Sequence, residues 1–326
     1  MPHWRSGAMG KRHLLADVGG THTRIGLTNA QGRLCPDSAR RYRTADFSGL
    51  AAALAFYLRD LGCPSVAGVC AGVAGPVGAD GAQLTNLDWF IAPDDLRAAT
   101  GAAQVHLLND LQAQAYALDD LDDAALVPVV PGRARPDGAR LVLGVGTGCN
   151  VAVAHRIGDD LFVPPAESGH TGLPHGEAQI NALVDHMSHT HPHKPIEAVL
   201  SGPGLLRLHH WLGGTASDIK AIIAQHRTGQ DGTAAETMRV FARLVGTVAG
   251  DMCLHHMATG GLYLIGGVAR AVAPHLASLG MQACFVAKGP YRQILQDIPI
   301  TLIDDDTAAL KGCARFLRQI PRATSH

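Results

Sequence analysis

The sequence predicts an α/β protein of about two domains, and three observations lead to this prediction. Short apolar runs that fit buried strands alternate with segments whose apolar residues have helical spacing. The chain has 326 residues, of which 47% are hydrophobic, so it can bury two sizeable cores. A strand–glycine turn–strand pattern occurs twice, at 14–27 and 140–157, which indicates an internal duplication.

Composition excludes several classes of protein. The net charge is −1, which gives no support to nucleic-acid binding through bulk charge. No window approaches 18 uninterrupted apolar residues, and the N-terminus has no apolar core of a secretory signal, so we expect no membrane span. The seven cysteines are scattered without a C-x-x-C pair, which favours free thiols and a cytoplasmic location.

The first part of the chain reads as a small α/β unit. We predict strands within 14–27 and at 66–73, 83–86 and 105–108, and helices at 47–61, from Pro93, and from Asn109 to about Leu118. Pro93 suits the first position of a helix, and the two acids that follow it suit the helix dipole. The acidic run 119–123 and the Pro/Gly/Arg-rich run 131–138 indicate a domain boundary.

The second part repeats the alternation. We predict strands within 140–157 and at 161–165, 262–265 and 300–303, and helices at 176–186, 233–257, 268–279 and 307–317. The resulting division is a small α/β domain formed by residues 1–120 plus 308–326, and a large α/β domain formed by 121–307.

The stretch LLADVGGTHTRIGL at 14–27 is a candidate phosphate site. Gly19, Gly20 and Thr21 form a tight turn that points several N–H groups in one direction, and Asp17 beside it can hold a divalent cation. A plain glycine-rich hairpin is the alternative. The stretch is neither G-x-x-x-x-G-K-[ST] nor G-x-G-x-x-G, so it is not a P-loop or a dinucleotide-binding turn.

Further polar groups follow other predicted strands. Two more glycine turns occur, at 146–148 and 266–267, and Asn109-Asp110 lies at the carboxyl end of a strand, where ligands of α/β proteins usually bind. Glu167 and His170 lie on a loop after a short strand. Together these groups could surround a small polyhydroxyl compound beside a phosphate cradle.

These segments resemble the bacterial glucokinases of the actin-like sugar kinase superfamily, in the family's order and over nearly the whole chain. The motifs that carry the resemblance are LLADVGGTHTRIGL, QLTNLDW (83–89), LLNDLQAQAYAL (107–118), GVGTGCNVAVAH (144–155), PAESGHTGLP (165–174), LSGPGLLRLH (200–209), LYLIGGVA (262–269) and DIPITLIDDDTAALKG (297–312). The resemblance implies a two-domain, ribonuclease H-like fold with an active-site cleft between the domains.

The resemblance also implies roles for individual residues. Cofactor-binding positions for ATP would be Ala16, Asp17, Val18, Gly19, Gly20, Thr21, Gly146, Thr147, Gly148, Gly266 and Gly267, with Asp17 near Mg²⁺. Asp110 would be the catalytic base facing the C6 hydroxyl of the sugar. The other sugar-binding positions would be Asn109, Glu167, His170, Glu197, Asn86 and Gly75.

Simpler roles stay open for four of these residues. Asp110 could cap the helix that follows it, since Asn and Asp are favoured caps. Glu197 could be an ordinary surface acid, and Asp17 could be a turn-former. His170, one of 18 histidines, is uninformative without Glu167 beside it.

The chain departs from the family pattern in the second turn and the sugar loop. The turn usually reads G-T-G-L-G, whereas here Cys149 and Asn150 follow Gly148, and Ser168 stands where glycine is usual. We expect these changes to affect sugar preference or turnover rather than reaction type. No C-x-C-G follows His170, so we expect no structural zinc, and the histidines within 186–193 fit a surface loop.

The expected activity is that of a glucokinase, an ATP:hexose 6-phosphotransferase that uses ATP and Mg²⁺. We expect a homodimer, and no nucleic-acid or membrane partner. A kinase for mannose, fructose or an N-acetylhexosamine is the first alternative. A non-catalytic sugar-sensing regulator is the second, but the lead before the first turn is too short for a DNA-binding helix-turn-helix.

Overall fold

The computed structural model describes residues 12–85, 87–229 and 231–320. Thirteen strands are found in these ranges: β1 (His13–Val18), β2 (His22–Leu27), β3 (Arg40–Arg43), β4 (Gly68–Val73), β5 (Ala82–Gln83), β6 (Phe90–Ile91), β7 (Gln104–Asn109), β8 (Leu126–Val130), β9 (Arg140–Val145), β10 (Cys149–Ile157), β11 (Asp160–Phe162), β12 (Leu262–Ile265) and β13 (Ile300–Ile303). Eleven α-helices accompany the strands in the same ranges: α1 (Leu50–Asp60), α2 (Pro93–Thr100), α3 (Asp110–Tyr116), α4 (Ala178–Ser188), α5 (Gly202–Trp211), α6 (Ile219–Thr228), α7 (Gly232–His256), α8 (Gly267–Leu276), α9 (Met281–Phe285), α10 (Arg292–Gln296) and α11 (Ala308–Gln319).

The chain folds into two compact units. In the described ranges, the first unit runs to Asp122, includes Ile157–Val163 and resumes at Asp305. The second unit comprises Asp123–Arg156 and Pro164–Asp304. No helix in the described ranges has both the length and the apolar character that a membrane crossing requires.

The sheet of the first unit has the strand order β3-β2-β1-β4-β7. β1 pairs antiparallel with β2 across the glycine turn and parallel with β4, which in turn pairs parallel with β7. The carboxyl ends of β1 and β7 therefore lie at the same edge of the sheet. This edge carries both Asp17 and the pair Asn109-Asp110.

Helix α3, which follows β7, is held by the C-terminal helix α11. A Cβ at Gly312 of α11 would lie only 1.6 Å from the carbonyl oxygen of Ala113, so only glycine allows this approach of the two backbones. Buried Gln112 also donates to the carbonyl oxygen of Val163 at 2.9 Å. These contacts fix the start of α3, where the predicted base lies.

The second unit repeats the arrangement. Five of its strands have the order β10-β9-β12-β13-β8, in which β9 pairs antiparallel with β10 and parallel with β12. An antiparallel hairpin followed by parallel neighbours therefore occurs in both units, in agreement with the duplication inferred from the sequence. The core of this unit is formed mainly by the strands and by the long helix α7.

Most predicted elements are found, with differences at their ends. The predicted strand at 83–86 is wrong in extent, because β5 comprises only Ala82–Gln83, and Asn86 lies outside the described residues. The helix predicted at 47–61 begins three residues later, at Leu50. The sequence analysis missed β3, β6, β8, α5, α6, α9 and α10. Helices α9 and α10 are only five residues long, too short for a helical period to be recognised.

Candidate active site

The first glycine turn joins β1 to β2 and is braced by hydrogen bonds. The Gly19 N–H donates to the carbonyl oxygen of His22 at 3.0 Å, which closes the turn. Thr44 donates its hydroxyl to the Gly19 carbonyl oxygen at 2.7 Å and its N–H to that of Thr21 at 3.0 Å. Ala16 and Val18 are fully buried in β1, so they support the turn through packing.

Asp17 lies in β1 directly opposite Arg24 of β2. The Arg24 guanidinium donates to Asp17 Oδ2 at 3.1 Å and lies 3.9 Å from the carboxylate of Asp306. Burial raises the pKa of Asp17, whose side chain is only 15% exposed; the positive charge of Arg24 opposes this rise, and the negative charge of Asp306 adds to it. Asp17 is therefore a largely buried carboxylate, paired with Arg24, at the edge of the glycine turn.

The donor set at Asp17 fits one class of magnesium site. The described ranges contain no group of three or more His, Cys, Asp or Glu side chains that could hold a metal ion. Mg²⁺ at phosphoryl-transfer sites is usually held by one or two carboxylates, with phosphate oxygens and waters completing its shell. A single carboxylate oxygen beside a phosphate-sized turn is consistent with such a site.

Asn109 and Asp110 occupy different positions at the start of α3. Asn109 is the N-cap: its Oδ1 accepts from the Leu111 N–H at 3.0 Å, and the Gln112 side chain accepts from the Asn109 N–H at 3.0 Å. Asp110 is the first helical residue, and its Oδ1 also accepts from the Leu111 N–H, at 2.8 Å. The capping role that the sequence left open for Asp110 is thus filled mainly by its neighbour.

Gly75 lies in the loop after β4 and contacts Asn109 at the start of α3. Asn109 donates its side-chain amide to the Gly75 carbonyl oxygen at 3.3 Å. A Cβ at Gly75 would lie 2.0 Å from the carbonyl oxygen of Gln83, so this approach of two backbones requires glycine. Asn86, the other expected pocket residue of this region, is outside the described residues.

The second glycine turn joins β9 to β10 and lies beside two helix N-termini. Gly146 donates to the Gly148 carbonyl oxygen at 2.9 Å and accepts from the N–H of Gly202, the first residue of α5, at 2.8 Å. Gly266 precedes α8 with φ +108°, and a Cβ there would lie 2.4 Å from the Val145 carbonyl oxygen. The N–H groups at the start of α5 are already bonded, to the Gly146 carbonyl oxygen and to Ser201, so α5 contributes through its dipole. Together with the start of α8, this partial positive charge makes the region suitable for an anion such as phosphate.

Glu197 contacts this second turn directly. Its Oε2 accepts from the Cys149 N–H at 2.8 Å and lies 2.5 Å from the place that a Cβ of Gly148 would occupy. The Ser201 hydroxyl donates to the Glu197 carbonyl oxygen at 2.8 Å. Glu197 is therefore not an ordinary surface acid, because it connects the turn after β9 with the segment that leads into α5.

Glu167 and His170 flank a short helical turn at Ser168–His170. Burial raises the pKa of Glu167; His170 lowers it, and Glu197 raises it again. His170 and Glu197 therefore both lie close enough to act on the Glu167 carboxyl group. A Cβ at Gly169 would lie 1.7 Å from the Cys149 carbonyl oxygen, so the loop packs tightly on the start of β10.

Within each unit, the structure gathers the residues that the sequence singled out. The first unit brings Asn109, Asp110 and Gly75 to one corner, and Asp17 to the turn after β1. The second brings the glycine turn, Gly266, Gly267 and the acids together. Sequence reasoning missed Arg24 and Thr44, and it identified Asn150 only as a departure from the family pattern. The position of Arg24 opposite Asp17 follows from the pairing of β1 with β2.

Several solved structures with a similar fold are named as glucokinases. A glucokinase from an Antarctic psychrotroph superposes with a TM-score of 0.84 at 30% identity, over 95% of this chain and 99% of that one. A glucokinase from Balamuthia mandrillaris, solved with glucose, gives 0.78 at 21% identity over 96% of each chain. A ROK family glucokinase from Streptomyces griseus, solved with glucose and AMPPNP, gives 0.65 at 19% identity, over 95% of this chain and 100% of that one. The last two likenesses show the fold alone, the actin-like ATPase fold expected from the sequence.

The sequence comparisons narrow this class to one family. The family model described as Glucokinase matches residues 14–320. A glucokinase-like protein of Xylella fastidiosa is 33% identical over 93% of each chain, and a glucokinase of Sinorhizobium medicae is 32% identical over 94% of this chain and 91% of its own. The chain belongs to the glucokinase family.

Proposed function

We propose that this protein is an ATP-dependent glucokinase that transfers the terminal phosphoryl group of ATP to the C6 hydroxyl of glucose. The observation that carries the proposal is the contact between Glu197 and the second glycine turn. Glu197, proposed to bind the sugar near its anomeric hydroxyl, accepts from the Cys149 N–H directly after this turn, and this contact supports a sugar site beside the phosphate turn. The names of the relatives that match over nearly their whole length support the same activity.

The phosphates of ATP are proposed to contact the two glycine turns, with Thr21 and Thr147 as additional hydroxyl donors. Backbone N–H groups fixed before the reaction stabilise developing charge without reorganising. The partial positive charge at the N-termini of α5 and α8 would add to this stabilisation at the second turn. Gly266 and Gly267 are proposed to lie against the adenosine.

Asp110 is the proposed base. Phosphoryl transfer passes through a loose transition state, so the protein contributes chiefly by positioning the groups and stabilising charge. The Leu111 N–H orients the carboxylate through Oδ1. Asp110 would accept the proton of the C6 hydroxyl as the hydroxyl oxygen bonds to the γ-phosphorus and the bond from that phosphorus to the β–γ bridging oxygen breaks, releasing ADP. Asn109, fixed by its capping box, would bind a neighbouring hydroxyl.

The remaining hydroxyls of the sugar are assigned to Glu167, His170 and Glu197. A site that pairs a polar group with each hydroxyl discriminates against analogues that lack one, since the unmatched group then has no partner. Glucose offers enough hydroxyls to match this set. A hexose with a different arrangement of hydroxyls would leave one carboxylate unpaired.

Mg²⁺ is proposed to complete the site, with Asp17 as its nearest protein ligand. When bound, the ion would neutralise charge on the phosphates. Arg24 would keep Asp17 ionised and oriented while no nucleotide is present. A homodimer and a cytoplasmic location are also proposed, and both rest on the family resemblance.

A substrate panel tests the proposal. The purified chain is incubated with ATP and Mg²⁺ and with glucose, mannose, fructose or N-acetylglucosamine in turn, and ADP release is followed in a coupled assay. We expect the highest kcat/KM for glucose. A higher value for another hexose would reassign the substrate within the same reaction type, and ADP release that no sugar stimulates would contradict the kinase assignment.

A further inference from the structure

Asn150 is one of the two residues that depart from the usual G-T-G-L-G pattern, and it contacts the sugar loop. Its Nδ2 donates to the Ala166 carbonyl oxygen at 2.7 Å and to Glu167 Oε2 at 3.0 Å. Its Oδ1 accepts from the Val151 N–H at 2.8 Å. One side chain at the start of β10 therefore binds both the backbone and the carboxylate of the loop that carries Glu167.

The orientation of this amide is determined by its partners. Ala166 and Glu167 both offer acceptors, so the group that faces them must be the NH₂ group, which has two donor hydrogens. The Val151 N–H requires an acceptor, and the amide oxygen supplies it. A flipped amide would place its oxygen against a carbonyl and a carboxylate, so only one orientation satisfies all three contacts.

We propose that Asn150 is a positioning residue that fixes the Glu167 carboxylate for glucose before the sugar binds; this inference rests on the proposed function. The Glu167 side chain is exposed, so without a partner it would sample several rotamers. The bond from Asn150 holds Oε2, and the bond to Ala166 holds the loop backbone on which the side chain stands. A glycine at this position supplies neither contact.

The loop that carries Glu167 is also fixed after Glu167, at Gly169. The hydrogen bond from Asn150 to the Glu167 carboxylate therefore acts on a loop whose backbone is already held on both sides. Gly169 packs against the Cys149 carbonyl oxygen so closely that no Cβ could be accommodated. The loop is thus held at Ala166 and again at Gly169, on either side of the Ser168 departure. Within this frame, the orientation of the Glu167 carboxylate depends mainly on its own side-chain torsions and on the Asn150 amide.

The first measurement is glucose binding without nucleotide, by isothermal titration calorimetry, on wild-type protein and Asn150→Ala. We expect the Kd for glucose to rise by about 2- to 12-fold, the factor that ordering one flexible side chain on binding implies. We expect the KM for ATP to stay unchanged. Asn150→Gly, which restores the usual residue of the family pattern, is measured in parallel and also serves if the alanine variant folds poorly.

A double-mutant cycle separates positioning from a general structural effect. In a Glu167→Ala background, Asn150→Ala should change the Kd for glucose by less than about 2-fold, since its partner has been removed. Gln179→Ala is the matched control, because Gln179 also donates an amide N–H to a carboxylate in the same unit, that of Glu236 at 2.8 Å. This control should leave the glucose Kd unchanged.

The outcomes distinguish the two proposals. Wild-type protein that does not bind glucose would contradict the proposed function itself. Wild-type protein that binds glucose, together with Asn150 variants that bind it equally well, would overturn the positioning role and leave the proposed function intact. An effect of Asn150→Ala that persists at full size in the Glu167→Ala background would also overturn it.

Discussion

Replacing Asp110 by asparagine separates its proposed role as a base from a role in capping α3. An asparagine keeps an oxygen that can accept the Leu111 N–H bond seen at 2.8 Å. It cannot accept the proton of a sugar hydroxyl at neutral pH. We therefore expect kcat to fall by about 10²- to 10⁴-fold, the usual contribution of a general base.

The same substitution should have little effect on stability. The substitution removes the interaction of one negative charge with the N-terminus of α3, which contributes about 0.3–1 kcal/mol. We expect the free energy of unfolding to fall by an amount of this order. Asn109→Ala is the comparison, because it removes the actual N-cap and should lower the free energy of unfolding by about 0.5–2 kcal/mol.

The assay combines three measurements on each variant. Steady-state kinetics with saturating glucose and ATP gives kcat, urea denaturation gives the free energy of unfolding, and calorimetry gives the Kd for glucose. Asp110→Asn with more than about a tenth of wild-type kcat would refute the base assignment, since a general base contributes at least about a hundredfold. A loss of stability in Asp110→Asn as large as that in Asn109→Ala would instead support a capping role.

Two further substitutions test the packing that supports the site. Gly266→Ala should lower the free energy of unfolding by about 1–3 kcal/mol and weaken ATP binding, because φ is +108° and the new Cβ would meet the Val145 carbonyl oxygen. Gly267→Ala should lower it much less, because nothing lies within 4 Å of the new Cβ. Equal losses for the two variants in urea denaturation would contradict this prediction. Lys311→Met should destabilise the protein at neutral pH, because it removes the ammonium group whose Nζ lies 3.0 Å from Asp305 Oδ2. Burial raises the pKa of Asp305, but its hydrogen bonds and the positive charge of Lys311 lower that pKa below the usual value overall. Because a depressed carboxyl pKa stabilises the fold above the unfolded-state pKa and this contribution disappears as pH falls, the difference in unfolding free energy between wild type and variant should shrink below about pH 4, and a difference independent of pH would contradict the assignment.

Local sequence signals were sufficient for much of the fold. The two glycine-turn hairpins, helix α2 beginning at Pro93 and the long helix α7 all follow from residue spacing and turn chemistry over short windows. Asn109-Asp110 could be placed at a strand end for the same reason. β3 was missed because RRYR is an edge strand whose residues are mostly exposed and lack an apolar alternation.

The contacts that define the site were beyond sequence reasoning because they are long-range. Glu197 and Cys149 are 48 residues apart in sequence, and no local pattern indicates that the carboxylate accepts from that N–H. Identifying which residue of the pair 109–110 is the N-cap also needed coordinates, since both residue types favour helix starts. Asn150 was recognised only as a departure from a pattern, and its bonds to the sugar loop gave that departure a physical explanation.

The position of the transferred phosphoryl group is the most direct test of the account. Product made from glucose and ATP by the wild-type protein is examined by two-dimensional ¹H–³¹P NMR. The account predicts one new phosphomonoester resonance, correlated with the two protons on C6, in an amount equal to the ADP formed. A correlation with the anomeric proton, or ADP formation without any sugar phosphate, would contradict it.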